Sequence, residues 1–196
     1  MISSLTQTCC CLLWLCLVVP DARSAPGPPG GDWSLLQTEQ VRIQCRPTPT
    51  STECEALANL DSSPDRLASV IVDLARWPEI FPSVRAVREL EPGLWSVDIE
   101  LPFPLGRWPL IAEVIHRIDG AEHHIELIQR GSGVALWAHA SWRITPEGPG
   151  SQVQYLWRSD ALRRVPAPVR RMLLRRTGHN TLWGVALAVG AQPSAP

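Results

Sequence analysis

The stretch VRAVRELEPGLWSVDIEL, residues 84–101, decides the fold because both of its halves alternate in polarity around a short turn. In the second half, Trp95, Val97, Ile99 and Leu101 would project to one side of a strand, and the polar residues between them to the other. A strand side chain points to alternate faces at every residue, so this spacing predicts a sheet with one buried and one solvated face. The intervening EPG is the length of a hairpin turn.

Similar segments lie on either side of this hairpin. Strand-like runs are expected at 41–46, 54–60, 110–118, 123–129, 134–144 and 152–158. Turns that contain Gly, Pro or Asp separate most of them, as in DG (119–120) and GSG (131–133). Short connections between alternating segments indicate an antiparallel meander with one covered face.

Two helices complete the pattern. The first should begin within residues 61–65, where a Ser or Asp cap precedes Pro64, and end near Trp77-Pro78, with a second short turn at 79–82. The second is expected from Pro168 to Val189, with Val169 and Met172 among its core positions and a kink at Gly178. A long helix across a curved antiparallel sheet is the α+β helix-grip arrangement, which encloses a cavity unless side chains fill it.

The first 24 residues are expected to be a signal peptide. An apolar run from Cys9 to Val19 precedes Pro20 and a small-residue sequence that suits cleavage after Ser24. An uncleaved anchor or a misassigned start is the alternative, and Cys16 is a poor lipidation site because bulky residues precede it. Residues 25–32 would be a Pro/Gly linker, 33–190 one domain and 191–196 a disordered tail. The expected location is periplasmic or secreted, or membrane-associated if the segment stays uncleaved.

Export would leave two of the six cysteines, Cys45 and Cys54. They flank a polar turn between two strand-like runs, so a disulfide across a hairpin is geometrically easy. Two unpaired thiols are expected instead if the chain stays in a reducing compartment. No partner histidines lie nearby in the sequence, and a zinc site or another metal site is not expected.

Composition excludes several classes of function. All 18 of the basic Lys+Arg residues are arginine, which excludes lysine Schiff bases and the P-loop lysine. The formal net charge of -1 argues against nucleic acid as a partner. At 196 residues, one monomeric domain is the expectation, and no cofactor motif is present.

Three stretches resemble START-related lipid-binding domains and the wider superfamily of polyketide cyclases and coenzyme Q-binding proteins. They are WSLL (33–36) with VRIQCRP (41–47), SSPDRLASVIVDLARWPEIFPSV (62–84) and LPFPLGRWPLIAEV (101–114). In the third, Arg107 is similar to the arginine of the family's Arg-Asp pair, and Trp108 stands where an acidic residue is usual. The resemblance implies a helix-grip fold that binds one hydrophobic molecule, such as a sterol, phospholipid, quinone, isoprenoid or polyketide.

Alternation places a set of mostly apolar side chains on the inner face, where such a ligand would lie. The candidates are Trp95, Val97, Ile99, Leu110, Ala112, Val114, Leu127, Leu136, Ala138, Ala140, Trp142, Val153, Tyr155 and Trp157, with Met172 from the last helix. His116 and Tyr155 could orient the ligand. The alternatives are a rim histidine and a core tyrosine with a satisfied hydroxyl.

Catalysis is not expected, because the sequence shows no organised set of acid, base and nucleophile. A cyclase-like enzyme that uses the His, Tyr or Arg groups of the cavity is the first alternative. An interaction module with a collapsed cavity, filled by tryptophans, is the second.

An arginine cluster precedes and opens the last helix. It comprises Arg163, Arg164, Arg170, Arg171, Arg175 and Arg176, with no acid between residues 161 and 176. Such a cluster could dock on anionic headgroups at a membrane surface, and the alternative is a solvated face that pairs with acids elsewhere.

Overall fold

A curved antiparallel sheet and a long last helix make up most of the described chain. The computed structural model describes residues 41–47, 52–101, 106–130, 139–159, 165–191 and 193–194. The strands are β1 Val41–Pro47, β2 Thr52–Leu60, β3 Val84–Glu91, β4 Leu94–Leu101, β5 Gly106–Asp119, β6 Glu122–Arg130, β7 His139–Glu147, β8 Gly150–Ser159 and the two-residue β9 Pro193–Ser194. The helices are α1 Pro64–Val72, α2 Trp77–Ile80 and α3 Ala167–Val189.

The sheet has the strand order β1-β2-β8-β7-β6-β5-β4-β3, and β9 pairs with β2. Strands β3 to β8 form a continuous antiparallel meander, and the β1–β2 hairpin joins it alongside β8. In the described residues β1 and β3 are the two edges, so the sheet is curved but not closed. The expected α+β helix-grip arrangement is confirmed.

The alternation of residues 94–101 predicts the faces of β4 correctly. Val97 and Ile99 are 0% and 1% exposed, whereas Asp98 and Glu100 are only partly buried. Strand β5 is longer than expected, because it begins at Gly106 and pairs with β4 from Leu101 onward. The beginning of the expected run 134–144 lies outside the described residues, which resume at His139.

The first helix ends earlier than its predicted end near Trp77-Pro78, and the second short turn is helix α2. Helix α1 begins at the Ser63 cap, whose hydroxyl accepts from the Arg66 amide, and it ends at Val72. A short 3-10 turn, Leu74–Arg76, then leads into α2. A single helix could not pass through Pro78, which lacks an amide hydrogen and would clash with a carbonyl one turn earlier. Pro78 is tolerated because it lies in the first turn of α2.

Helix α3 lies against β1, β2 and β8 of the sheet and against α1 and α2. Its buried stripe includes Leu174, Leu182, Val185, Ala186 and Val189, and Gly190 ends it in the left-handed conformation with φ 64°. That conformation has little steric cost only for glycine.

Two expectations about α3 need correction. Val169 and Met172, expected in the core, are 43% and 58% exposed, because the buried stripe begins at Leu174 and they lie off it. Helix α3 is continuous through Gly178, and the kink expected there stays a prediction. Gly178 allows close contact with Trp157, because a Cβ there would lie 2.3 Å from the Cη2 atom of that ring.

A disulfide joins Cys45 and Cys54, which face each other across the β1–β2 ladder with Cα atoms 4.1 Å apart. The expected covalent staple of this hairpin is therefore present. Among the described helices, none combines the length and apolar character needed to cross a membrane.

Candidate ligand-binding site

The inner face of the sheet is apolar along most of its length. Val97, Ile99, Leu110, Ala112, Leu127 and Val153 are all at most 9% exposed on this face. They lie on β4, β5, β6 and β8, and alternation explains their common orientation. The side chains that the sequence assigns to this wall and that the structure describes are therefore mostly buried together.

An aromatic ladder crosses the inner face beneath α3. The ring of Tyr155 lies between Trp142 and Trp157, with ring centroids 4.9 Å and 4.8 Å away and interplanar angles of 25° and 16°. Trp77 of α2 meets Trp142 edge-on at 6.1 Å, and Phe81 meets Trp77 edge-on at 5.1 Å. Stacked and edge-to-face pairs at such distances are favourable beyond the area they bury. The rings of the ladder therefore pack tightly against one another.

Small residues make room for this ladder. Ala140 is the strand partner of Trp157, and Ala56 is the partner of Tyr155. Both alanines are at most 1% exposed, so the space that they leave is occupied by aromatic rings from the neighbouring strand.

The inner face is more open at β4 and β5. Trp95 and Val114, whose side chains point to the same side as Val97 and Leu110, are only half-buried. The strands that α3 contacts most are β1, β2 and β8, which lie towards the other end of the strand order. An apolar strip therefore continues from the covered ladder towards a more accessible margin.

Three polar groups meet at the end of this inner face. Nε2 of His116 lies 3.0 Å from Nδ1 of His123, and Nε2 of His123 lies 3.0 Å from a carboxylate oxygen of Asp65 on α1. Because the carboxylate accepts from Nε2 of His123, the neutral form of His123 has Nδ1 free to accept from His116. The ring centroids lie 5.2 Å apart, close to the nitrogen separation plus the two ring radii, so the rings lie end to end.

Within this hydrogen-bonded series, His116 is exposed and His123 is buried. Partial desolvation of the His116 ring, and then repulsion from His123 in its charged form, lower the pKa of His116. His116 thus lies at the rim of the inner face rather than deep within it. Asp65 and His123 were missed in the sequence, because only the pairing register of β5 and β6 and the docking of α1 bring them together.

Tyr155 is a core tyrosine. Burial raises the pKa of its hydroxyl far above the usual range, and a hydrogen bond with Thr181 of α3 opposes that shift only in part. On the same helix, burial lowers the pKa of His179, and a hydrogen bond with Asn180 opposes this. The described residues contain no group of three or more His, Cys, Asp or Glu side chains arranged to hold a metal ion.

The remaining predicted residues are dispersed. Met172 points outward, and Leu136, Ala138, Arg163 and Arg164 lie outside the described residues. Arg175 and Arg176 are exposed on α3, and Arg170 is half-buried. For Arg171 the structure places the backbone in α3.

The outer face of the sheet is polar by contrast. A groove of about 670 Å³ there is lined by residues that include Gln44, Glu53, Glu55, His139 and Arg158. Arg46 and Glu53 form an ion pair of 2.7 Å at its margin. Cys45, Cys54, Leu156 and Trp157 also line this groove, so it is mixed rather than apolar in character. The inner face is the better candidate site because its apolar side chains are continuous and carry no charges between them.

Solved structures share this arrangement. The STAR-related lipid transfer protein from Xanthomonas axonopodis has a TM-score of 0.63 at 15% identity over 82% of this chain and 96% of that one. The chain has a START-like helix-grip fold. Human STARD10 has a TM-score of 0.64 at 16% identity over 76% of this chain and 69% of its own. Human StAR-related lipid transfer protein 5 has a TM-score of 0.65 at 9% identity over 77% and 82%.

Neither a protein-family model nor a curated protein sequence matches this START-like domain. At these identities the likeness establishes the fold, and a fold hosts many functions.

Proposed function

We propose that this START-like domain binds a hydrophobic small molecule between its sheet and α3, without catalysis. The observation that carries the proposal is the apolar inner strip, which continues from the buried ladder to half-buried Trp95 and Val114. Apolar surface next to a partly open margin suits a ligand that gains free energy by leaving water. The Xanthomonas neighbour and human StAR-related lipid transfer protein 5 are named as lipid transfer proteins, which agrees with this ligand class.

A bulky substitution on the strip tests the proposal. Val114→Trp should fill the open margin, whereas Ile111→Trp introduces the same side chain on the outer face of the same strand. Native mass spectrometry after incubation with a mixed-lipid extract should show an adduct on the wild type and on Ile111→Trp. Val114→Trp should show little adduct at an unchanged melting temperature. A wild type without adducts, or equal uptake by both variants, would contradict the proposal.

Export to the periplasm or the extracellular space remains part of the proposal. The disulfide between β1 and β2 supports it, because such bonds persist in oxidising compartments. Fractionation of the native host, followed by immunodetection and mass measurement of the mature N-terminus, tests both location and cleavage. Detection only in the cytoplasm would contradict export.

We also propose that α3 docks the domain on an anionic membrane surface. Met172 and Val169 present apolar side chains to solvent beside the exposed Arg175 and Arg176, and residues 165–191 contain no acid. Basic residues near an anionic surface contribute about 1 kcal/mol each. This combination of apolar and basic side chains would bring the ligand site close to lipid.

Vesicle flotation tests the docking surface. Arg175→Glu/Arg176→Glu should weaken binding to phosphatidylglycerol vesicles roughly 30-fold or more, since two favourable charges are reversed. Arg66→Glu/Arg88→Glu makes the same change in net charge at exposed positions of α1 and β3. Equal losses in the two variants would indicate a net-charge effect and would contradict docking by α3.

A proton-transfer enzyme is the second candidate function. The hydrogen-bonded chain from Asp65 through His123 to His116 favours it, because a carboxylate that holds a histidine tautomer supports a general base. Activity on a polyketide-like β-ketone that is lost in His116→Gln would support it.

An interaction module with a filled interior is the third candidate function. The aromatic ladder favours it, and failure of the protein to take up any ligand would support it.

A further inference from the structure

The buried indoles of this core differ in how their N–H groups are satisfied. Nε1 of Trp77 donates to the carbonyl oxygen of Ile71 at 3.1 Å. Nε1 of Trp142 and Nε1 of Trp157 are fully buried and have no hydrogen-bond acceptor among the described residues. A buried donor without an acceptor loses its bonds to water and gains nothing in return. The core thus contains two indole donors that an incoming acceptor would stabilise.

These two donors belong to neighbouring parts of one surface. Trp142 and Trp157 are 2% exposed and stack on opposite sides of Tyr155 in the ladder. The hydroxyl of Tyr155, between them, already has a hydrogen-bond partner in Thr181. Both faces of Tyr155 are covered within the ladder, so a ligand would meet these donors at the N–H edges of the two indoles.

We propose that the ligand of the inner face carries a carbonyl-type oxygen that accepts a hydrogen bond from the indole of Trp142 or Trp157. This inference rests on the proposed ligand binding and narrows its chemistry. An indole N–H only donates, so its complement must be an acceptor, and a plain hydrocarbon leaves it unsatisfied. A ketone, an ester or a quinone joined to an apolar body fits both the donors and the ladder.

The site discriminates because a ligand without the oxygen must leave both donors buried and unpaired. A site with unpaired polar groups rejects an analogue that lacks the matching group more strongly than an apolar pocket rejects a change in size. Ring stacking alone would treat a flat ketone and the matching hydrocarbon almost alike.

Fluorenone and fluorene make this comparison, because they share a flat tricyclic frame and differ by one carbonyl. Their affinities for the full chain can be measured by equilibrium dialysis and corrected for each compound's partition between water and octanol. Fluorenone should bind roughly 5- to 30-fold more tightly, the range of one net hydrogen bond to a buried donor.

Tryptophan-to-phenylalanine variants identify the donor. Trp142→Phe and Trp157→Phe each remove a donor and keep an aromatic ring, so at least one should bring the affinity ratio towards unity. Trp77→Phe is the matched control, since the N–H that it removes is already bonded within the core. It should preserve the ratio. Thermal denaturation of each variant confirms folding. A variant that does not fold is replaced by the corresponding methionine variant, which also lacks the N–H, because both positions must be tested.

The outcomes separate this inference from the function on which it rests. Binding of neither compound by the wild type overturns both. Equal corrected affinities overturn the inference alone and leave hydrophobic binding in place. A preference for fluorenone that both Trp142→Phe and Trp157→Phe retain also overturns it, because the acceptor must then meet another donor.

Discussion

Replacing Gly178 with alanine would drive a methyl group into the ring of Trp157. An ideal Cβ at this position lies 2.3 Å from Cη2, 2.9 Å from Cζ3 and 3.1 Å from Cζ2 of the indole. Trp157 cannot easily retreat, because it is 2% exposed and its other neighbours include the ring of Tyr155. The substitution therefore strains a closely packed contact between α3 and β8.

Two effects of opposite sign determine the change in the free energy of unfolding. Alanine in place of glycine inside a helix gains about 1 kcal/mol from helix propensity. Overpacking a filled core costs about 1–3 kcal/mol, and the short distance to Cη2 favours the upper part of that range. We expect Gly178→Ala to lower stability by about 1–2 kcal/mol, which corresponds to a fall in Tm of about 2–8 °C.

A double-mutant cycle measured by urea unfolding isolates this contact. The clashing atoms form the outer edge of the indole, which phenylalanine does not reach. In a Trp157→Phe background, Gly178→Ala should therefore be neutral or raise stability by up to about 1 kcal/mol. The coupling energy between the two positions should be about 1–3 kcal/mol. Stabilisation of the wild type by Gly178→Ala, or additive effects, would refute the packing argument.

Three further outcomes are expected. Reducing the disulfide between β1 and β2 should lower the free energy of unfolding by roughly 2–3 kcal/mol, because it frees a short loop in the unfolded chain, and equal melting with and without reductant would contradict this. Since the pKa of His116 is lowered in the folded state, its contribution to stability should be full above its ordinary value of 6.5 and decline as the pH falls through the lowered pKa. Wild type should lose more stability than His116→Gln on acidification, and parallel pH curves from urea unfolding would exclude the effect. Trp77→Phe should lower the free energy of unfolding by about 1 kcal/mol more than Trp142→Phe does, because only Trp77 loses an N–H hydrogen bond. Equal losses in urea unfolding would argue against an unsatisfied Trp142 donor.

Local patterns were sufficient to predict the sheet and the direction of its side chains. The alternation of Trp95, Val97 and Ile99 predicts an inner face because period-two geometry needs no knowledge of neighbouring strands. The end of α1 at Val72 is harder to predict, because the apolar spacing continues through Leu74. The residue that prevents a longer helix is Pro78, four residues after Leu74. Helical periodicity and helix termination depend on different residues.

Contacts between distant elements were not predictable in this way. The chain from Asp65 to His116 requires the docking of α1 and the register of β5 on β6, and neither follows from residue spacing. The unsatisfied donors of Trp142 and Trp157 are likewise properties of packing, since the sequence identifies both only as large apolar residues. The sequence predicts which residues lie on the inner face, but not whether their polar groups have hydrogen-bond partners there.

The two edge strands of the described sheet are stabilised by different means. The disulfide fixes β1 to β2, so this edge cannot peel away to expose the inner ladder. Strand β3 instead carries exposed charges at Arg85, Arg88 and Glu89, and its pairing with β4 shifts register twice. Charged, irregular edges are poor templates for added strands. The edge of this open sheet at β3 is therefore an unfavourable site for strand addition, and the edge at β1 is held in register by a covalent bond.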